Sequence, residues 1–230
     1  PPAPQPEPAP APADDNVQRI DSEELPEPEN GIIAVPVDKD KDAVVIPGNL
    51  GQEIGDNALV LVLDDRLRIE LPAETLNAIA GEEAEGVNIH LSIVTAAEKE
   101  EALQALLDAG VRIPASTEIR PAGSVFELQI RVVDQEGNET AIENLDVPVT
   151  VELQIPPGAD PDLVGLYRIT DDGELVYVGG WAKDGVMRVE ITDPNARYAF
   201  LEYDKTFADV DESLWAHDVI KKVAAKHLMQ

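Results

Sequence analysis

The feature that most constrains this chain is a strict two-residue alternation of apolar and polar side chains. It recurs from Gly31 to about Asp204. Leu67, Ile69 and Leu71 alternate with Arg66, Arg68 and Glu70, and Val87, Ile89, Leu91 and Ile93 alternate with Asn88, His90 and Ser92. Phe126, Leu128, Ile130 and Val132 interleave with Glu127, Gln129 and Arg131, and Val149, Val151, Leu153 and Ile155 with Thr150, Glu152 and Gln154. Successive side chains of a strand point to opposite faces, so each run has one face for a core and one for water. That is the pattern of antiparallel sheets with one wet side. Turn residues separate the runs at Gln135–Asn138, Asp171–Gly173 and Lys183–Gly185. The expected fold is mainly β: an antiparallel sandwich, built as one or two modules.

The last third of this region predicts a four-stranded meander, with strands near 163–169, 174–178, 186–191 and 197–203. Two helices interrupt the β pattern. One runs from Pro72 to Ala80 and stops at Gly81. The other starts at Thr95 and Glu98, which have capping-box spacing, carries a Leu103, Leu106, Leu107 stripe, and ends at Gly110 before Pro114. It is expected to cover a sheet edge or end.

Outside the β region the chemistry changes. Residues 1–30 hold nine of the 19 prolines, few apolar residues and Arg19 as their one base. Such a segment buries too little surface to offset chain ordering, so a disordered, extended linker is expected. Residues 31–204 form the β region, with an internal boundary near 145–160 if there are two modules. From 205 to 230 the period becomes helical: Ala216, Val219, Ile220, Val223 and Ala224 share a face. Acids stand early, and Lys221, Lys222 and Lys226 late, as a helix dipole favours.

Composition excludes several functions. The net charge of −29 repels nucleic acid and anionic membrane surfaces. With no cysteine, disulfides, thiolate metal sites and thiol nucleophiles are absent. No apolar run reaches the roughly 20 residues that span a bilayer. His90, His217 and His227 lack metal-ligand spacing, and no nucleophile elbow or phosphate loop appears. Asp38, Asp40 and Asp42 have the spacing that opens a calcium loop, but Ala43 and Asn49 stand where a glycine and an acid are required. No cofactor is expected, with calcium the one candidate. Trp181 is expected at the core or rim, or as an exposed platform for a sugar ring.

Residues 205–230 resemble the opening of an S-layer homology repeat through Phe207, Asp209, Val210, Trp215, Ala216, Ile220, Ala224 and Leu228. His227 departs from it, standing where a glycine commonly closes the first helix. The stretches Asp146–Leu153, Leu163–Tyr167, Gly179–Trp181 and Arg197–Leu201 are similar to the β-rich stalk that precedes such anchors. The resemblance implies a secreted protein of the bacterial cell surface whose complete anchor binds cell-wall polysaccharide. Asp209 and Trp215 are then wall-polymer contacts, with Phe207 and Ile220 as anchor core. The basic residue of the repeat's Thr-Arg-Ala-Glu motif lies beyond Gln230. The expected function is a non-catalytic stalk. Alternatives are a surface adhesin or carbohydrate-binding module, the non-catalytic part of an extracellular glycanase, and a self-associating filament subunit. In the last, Gly31–Val37 and Ala43–Pro47 would complete a neighbour's sheet.

Overall fold

The computed structural model describes residues 16–82, 84–96, 99–211 and 213–228. The Pro-rich residues 1–15 and Glu98 of the expected capping box lie outside these. Among the described residues, fourteen strands form two mixed sheets that pack face to face.

The first sheet has the order β1 (Val17–Arg19), β3 (Ala43–Pro47), β6 (Val87–Ala96), β7 (Thr117–Asp134), β14 (Ala196–Lys205), β10 (Val164–Ile169) and β11 (Leu175–Gly179), with β8 (Glu139–Ala141) paired to β7. The second has the order β12 (Trp181–Lys183), β13 (Val186–Ile191), β9 (Val149–Gln154), β5 (Leu67–Pro72), β4 (Ala58–Val62) and β2 (Ile32–Pro36). The α-helices among the described residues are α1 (Leu50–Glu53), α2 (Ala73–Ala80), α3 (Lys99–Asp108) and α4 (His217–Ala225).

The apolar halves of the alternating runs supply the core. Leu67, Ile69, Leu71, Val149, Val151 and Leu153 from the second sheet meet Ile89, Leu91, Phe126, Leu128 and Ile130 from the first, all essentially without solvent contact. Burying such side chains stabilises by about 1.5–3 kcal/mol each. Strand β7 ties the first sheet together. Its 18 residues pair with β14 over the first part and with β6 over the second, and both pairings overlap near Phe126.

The structure corrects several expectations. The pairings are not all antiparallel: β1 lies parallel to β3, and β2 parallel to β4. Both parallel pairs sit at sheet edges, where an extra strand needs a partner on one side only. Part of the segment expected as a disordered linker joins the fold. Val17–Arg19 pair with Ala43–Val45, and Ile20 enters the core at 7% exposure. The segments 31–37 and 43–47, considered as donor strands for a neighbour, pair within the chain instead, β2 with β4 and β3 with β6.

The expected meander is split, because β10, β11 and β14 belong to one sheet and β12 and β13 to the other. The chain crosses between sheets at Gly179–Gly180. Thr95 does not cap a helix; it lies in β6 opposite Phe126, because the strand ladder runs on to Ala96. Helix α3 then rests on the outer face of the first sheet rather than on an edge or end. It buries Ala102 and Leu106, while Leu103 and Leu107 of the expected stripe stay exposed. Helix α1 has no forerunner in the sequence reading, since four residues are too few to show a period.

Candidate functional site

Strand β14 is buried on both faces, from Tyr198 to Tyr203. A strand that is apolar on both faces needs a second covering layer. Helices α3 and α4 provide it, giving a second apolar cluster of Leu106, Val125, Tyr167, Ala199, Leu201, Tyr203 and Ala225. The segment expected to begin a wall anchor is therefore packed, through its helix, on the β body.

The docking is both aromatic and ionic. Small side chains at Ala224 and Ala225 let α4 sit close to a tyrosine cluster. Tyr167 stacks with Tyr203 at 6.0 Å and meets Tyr177 edge-on at 5.5 Å. The His227 ring lies 5.1 Å from Tyr177 and 4.9 Å from Tyr203. The Tyr167 hydroxyl donates to the Ala225 carbonyl at 3.3 Å and stands 3.2 Å from His227 Nε2. Burial raises the Tyr167 phenol well above its ordinary pKa and pushes Tyr177 up to about 12.

Three lysines of this segment bind the body. Lys221 bonds Asp204 at 2.7 Å, Lys222 meets Asp162 at 2.5 Å, and Lys226 donates to the Val164 carbonyl at 2.6 Å. Lys226 is 5% exposed, and burial brings its pKa down to about 8. Read by order alone these lysines complement the helix dipole. In the fold they hold a nearly neutral segment onto an acidic body.

Asp209 and Trp215 occupy the turns before α4 and are both exposed, Trp215 at 89%. Phe207 and Ile220, expected as anchor core, are half-buried; Phe207 lies under the Lys205 ammonium at 5.3 Å. The buried face of α4 is instead Ala224 and Ala225, continued by Lys226. The sequence reading missed Tyr167, Tyr177, Tyr203 and His227 as a unit. Their signal was present: Tyr167 and Tyr203 occupy strand positions opposite in facing to the core residues Leu166 and Phe200.

His227 makes the docking sensitive to acid. Partial desolvation of the ring edge that meets the tyrosines lowers its pKa, although the residue as a whole stays exposed, and the Lys205 cation adds to this. The folded state therefore favours the neutral ring, while the unfolded chain takes up a proton near pH 6.5. The stabilising effect of the neutral ring is complete above pH 6.5 and is lost as pH falls through the lowered value. Hydrogen exchange of α4 amides should accelerate, relative to the β core, as pH drops from about 7 to 5. His227→Phe, which keeps the stacking, should flatten that change. An unchanged profile in the variant would contradict this role for His227.

The acidic stretch 38–42 and the pair Asp64–Asp65 come together at a cleft of about 420 Å³, beside Lys39, Lys41 and Arg66. Their carboxylates serve local structure. Asp64 Oδ1 accepts from the Arg66 and Leu67 amides at 2.6 and 2.7 Å, and Asp42 Oδ2 accepts from Asn16 at 3.1 Å. Among the described residues, no three acids or histidines are grouped so as to hold a metal ion. His90 is half-buried on β6, and burial lowers its pKa; His217 lies 3.0 Å from Asp218.

A third feature is the outer face of the second sheet. Trp181, Arg188, Glu152 and Arg68 stand in one cross-strand row. Arg188 bridges two carboxylates, binding Glu70 at 2.6 Å and also Glu152. Trp181 is 69% exposed at the end of the row.

Taken together, these features describe a β-sandwich module with α3 and α4 on one face and open clefts on its surface. No family model matches the chain. The chain is similar to an amylopullulanase of Thermoanaerobacterium thermosulfurigenes, 37% identical over 86 residues. The match takes in 36% of this chain but only 4% of that protein.

Proposed function

We propose that this chain is a non-catalytic module of a large extracellular protein, of the glycanase type, placed as a rigid spacer beside a cell-surface anchor. The observation that carries this reading is the proportion of the match, in which over a third of this chain corresponds to a small fraction of an amylopullulanase. A stretch that is so small a part of a large enzyme suits an accessory module.

The structure supplies physical support. The interior is filled by apolar side chains. Many surface acids cap turns or pair with arginine and lysine, Asp64 of the acidic cleft among them. Strand ladders and burial take the place of disulfides in resisting force and proteolysis. Among the described residues no helix is long and apolar enough to cross a membrane. In the fuller form of the proposal the module belongs to an S-layer-type surface protein. Asp209 and Trp215, both exposed, are then the contacts to wall polysaccharide.

Two assays test this. The purified chain should release no reducing ends from pullulan or starch, and release would overturn the non-catalytic reading. In sedimentation with purified cell walls, a chain extended through complete repeats should be retained more strongly than this one. Equal retention of the two would contradict the anchor assignment.

A further inference from the structure

The geometry points to a binding site for a neutral glycan chain on the outer face of the second sheet, with the Trp181 indole as stacking platform and the Arg188–Glu70–Glu152 cluster as its polar floor. This is separate from the spacer role and stands or falls by its own test.

The indole is both presented and held. Trp181 opens β12 directly after the crossing between sheets, and its side chain shares a face with Arg188, its partner across the ladder. The Lys226 ammonium lies over the ring, 5.6 Å from its centroid. Such a cation is attracted to the π face and restrains the ring. With 69% of Trp181 still exposed, the remaining ring surface is open to a ligand. A large apolar ring surface held in water carries a hydrophobic cost that a stacking ligand would relieve. The C–H face of a pyranose ring matches such a surface, because both are flat and weakly polar.

The polar floor decides the charge class of the ligand. Arg188 already engages two carboxylates through Nε and Nη2, so its positive charge is more than balanced within the cluster and offers a phosphate or carboxylate ligand little net attraction. The side chains of Glu70 and Glu152 are 21% and 18% exposed, which leaves oxygens able to accept hydrogen bonds in a fixed, partly desolvated position. Sugar hydroxyls donate and accept, and they suit this arrangement. A polyanion would meet Glu70, Glu152 and Glu190 on a chain of charge −29. The groove between Trp181, Arg188 and Thr150 is open and has a volume of about 490 Å³, within the size range that small ligands fill. An open groove admits an extended chain passing through, where a closed pocket would take only a chain end.

Affinity electrophoresis gives the test. The intact chain is run through gels containing pullulan, an α-glucan; laminarin, a neutral β-glucan; or polygalacturonate, an anionic polymer. Retardation by at least one neutral glycan is expected, lost in Trp181→Ala and kept in Trp215→Phe; the two neutral gels distinguish the linkage. A wild-type chain unretarded by both neutral glycans would overturn the proposal. So would Trp181→Ala retarded like the wild type, or stronger retardation by polygalacturonate. Because Trp181 and Trp215 are the only tryptophans, fluorescence of the Trp215→Phe protein reports the site without disturbing it. Its emission should shift on adding the retarding glycan, and an unchanged spectrum would count against the site.

Discussion

Replacing Phe126 by alanine should lower the unfolding free energy by about 3–5 kcal/mol. Phe126 is 1% exposed, with its ring 5.4 Å from Tyr198 and 6.3 Å from Phe200. It sits where β7 pairs with β6 on one side and β14 on the other, opposite Thr95 and Tyr198. Rigid ladders on both sides prevent the strands from closing over the void, so the cavity cost adds to the lost transfer energy. Domains of this size have a total stability of about 5–15 kcal/mol, so the variant should lose a large fraction of it. The urea midpoint should fall with an unchanged slope. A loss below about 1 kcal/mol would show that the sheets can collapse there, against the packing described above.

Gly180→Ala should have the next largest effect, for a different reason. Gly180 has φ +140° at the crossing from β11 to β12, in a region that L residues rarely adopt. Backbone strain of this kind costs about 1–3 kcal/mol. A methyl group there would also lie 2.6 Å from Met187 Sδ and 3.1 Å from Gly165 Cα. Met187 is fully buried and can yield only by disturbing the core. Gly185→Ala is the informative comparison, because Gly185 has φ +79° but open space around it. The Gly180 variant should be clearly less stable than the Gly185 variant. Equal losses would mean that Met187 and Gly165 do not confine the crossing. Since Trp181 follows directly, Gly180→Ala should also weaken glycan retardation, even in the fraction that folds.

The period-two runs located β5, β6, β7 and β9 and named most of their core residues, because a half-buried strand writes its facing into every second position. Pro72, Gly81 and Gly110 marked helix ends for similarly local reasons. The same local logic failed at Thr95. A cap and a strand end compete for the same backbone groups, and pairing with Phe126 took Thr95 into the ladder. It failed again at Leu103 and Leu107. Helical spacing identifies a stripe, but which stripe meets the sheet depends on how the helix is set down. The short strand β1 was hidden because Val17–Arg19 has no period of its own and is held by the edge of β3.

The candidate sites divide in the same way. Trp181 stands out in the sequence as a lone indole after a glycine pair. Its exposure, the row it shares with Arg188 and Glu152, and the cation of Lys226 above it come from three strands and a helix distant in sequence. Tyr167, Tyr177, Tyr203 and His227 likewise become one cluster only when α4 lies across β10, β11 and β14.

By itself the sequence determined which residues go inward along each strand, where turns interrupt them, and the net charge of −29. Those properties depend on neighbours a few residues apart and on composition. The tertiary structure alone decided how the strands divide between two sheets, where α3 and α4 cover the outer face, and which lone polar or aromatic side chains meet. Those outcomes depend on pairings between segments tens of residues apart, whose energies no local pattern records.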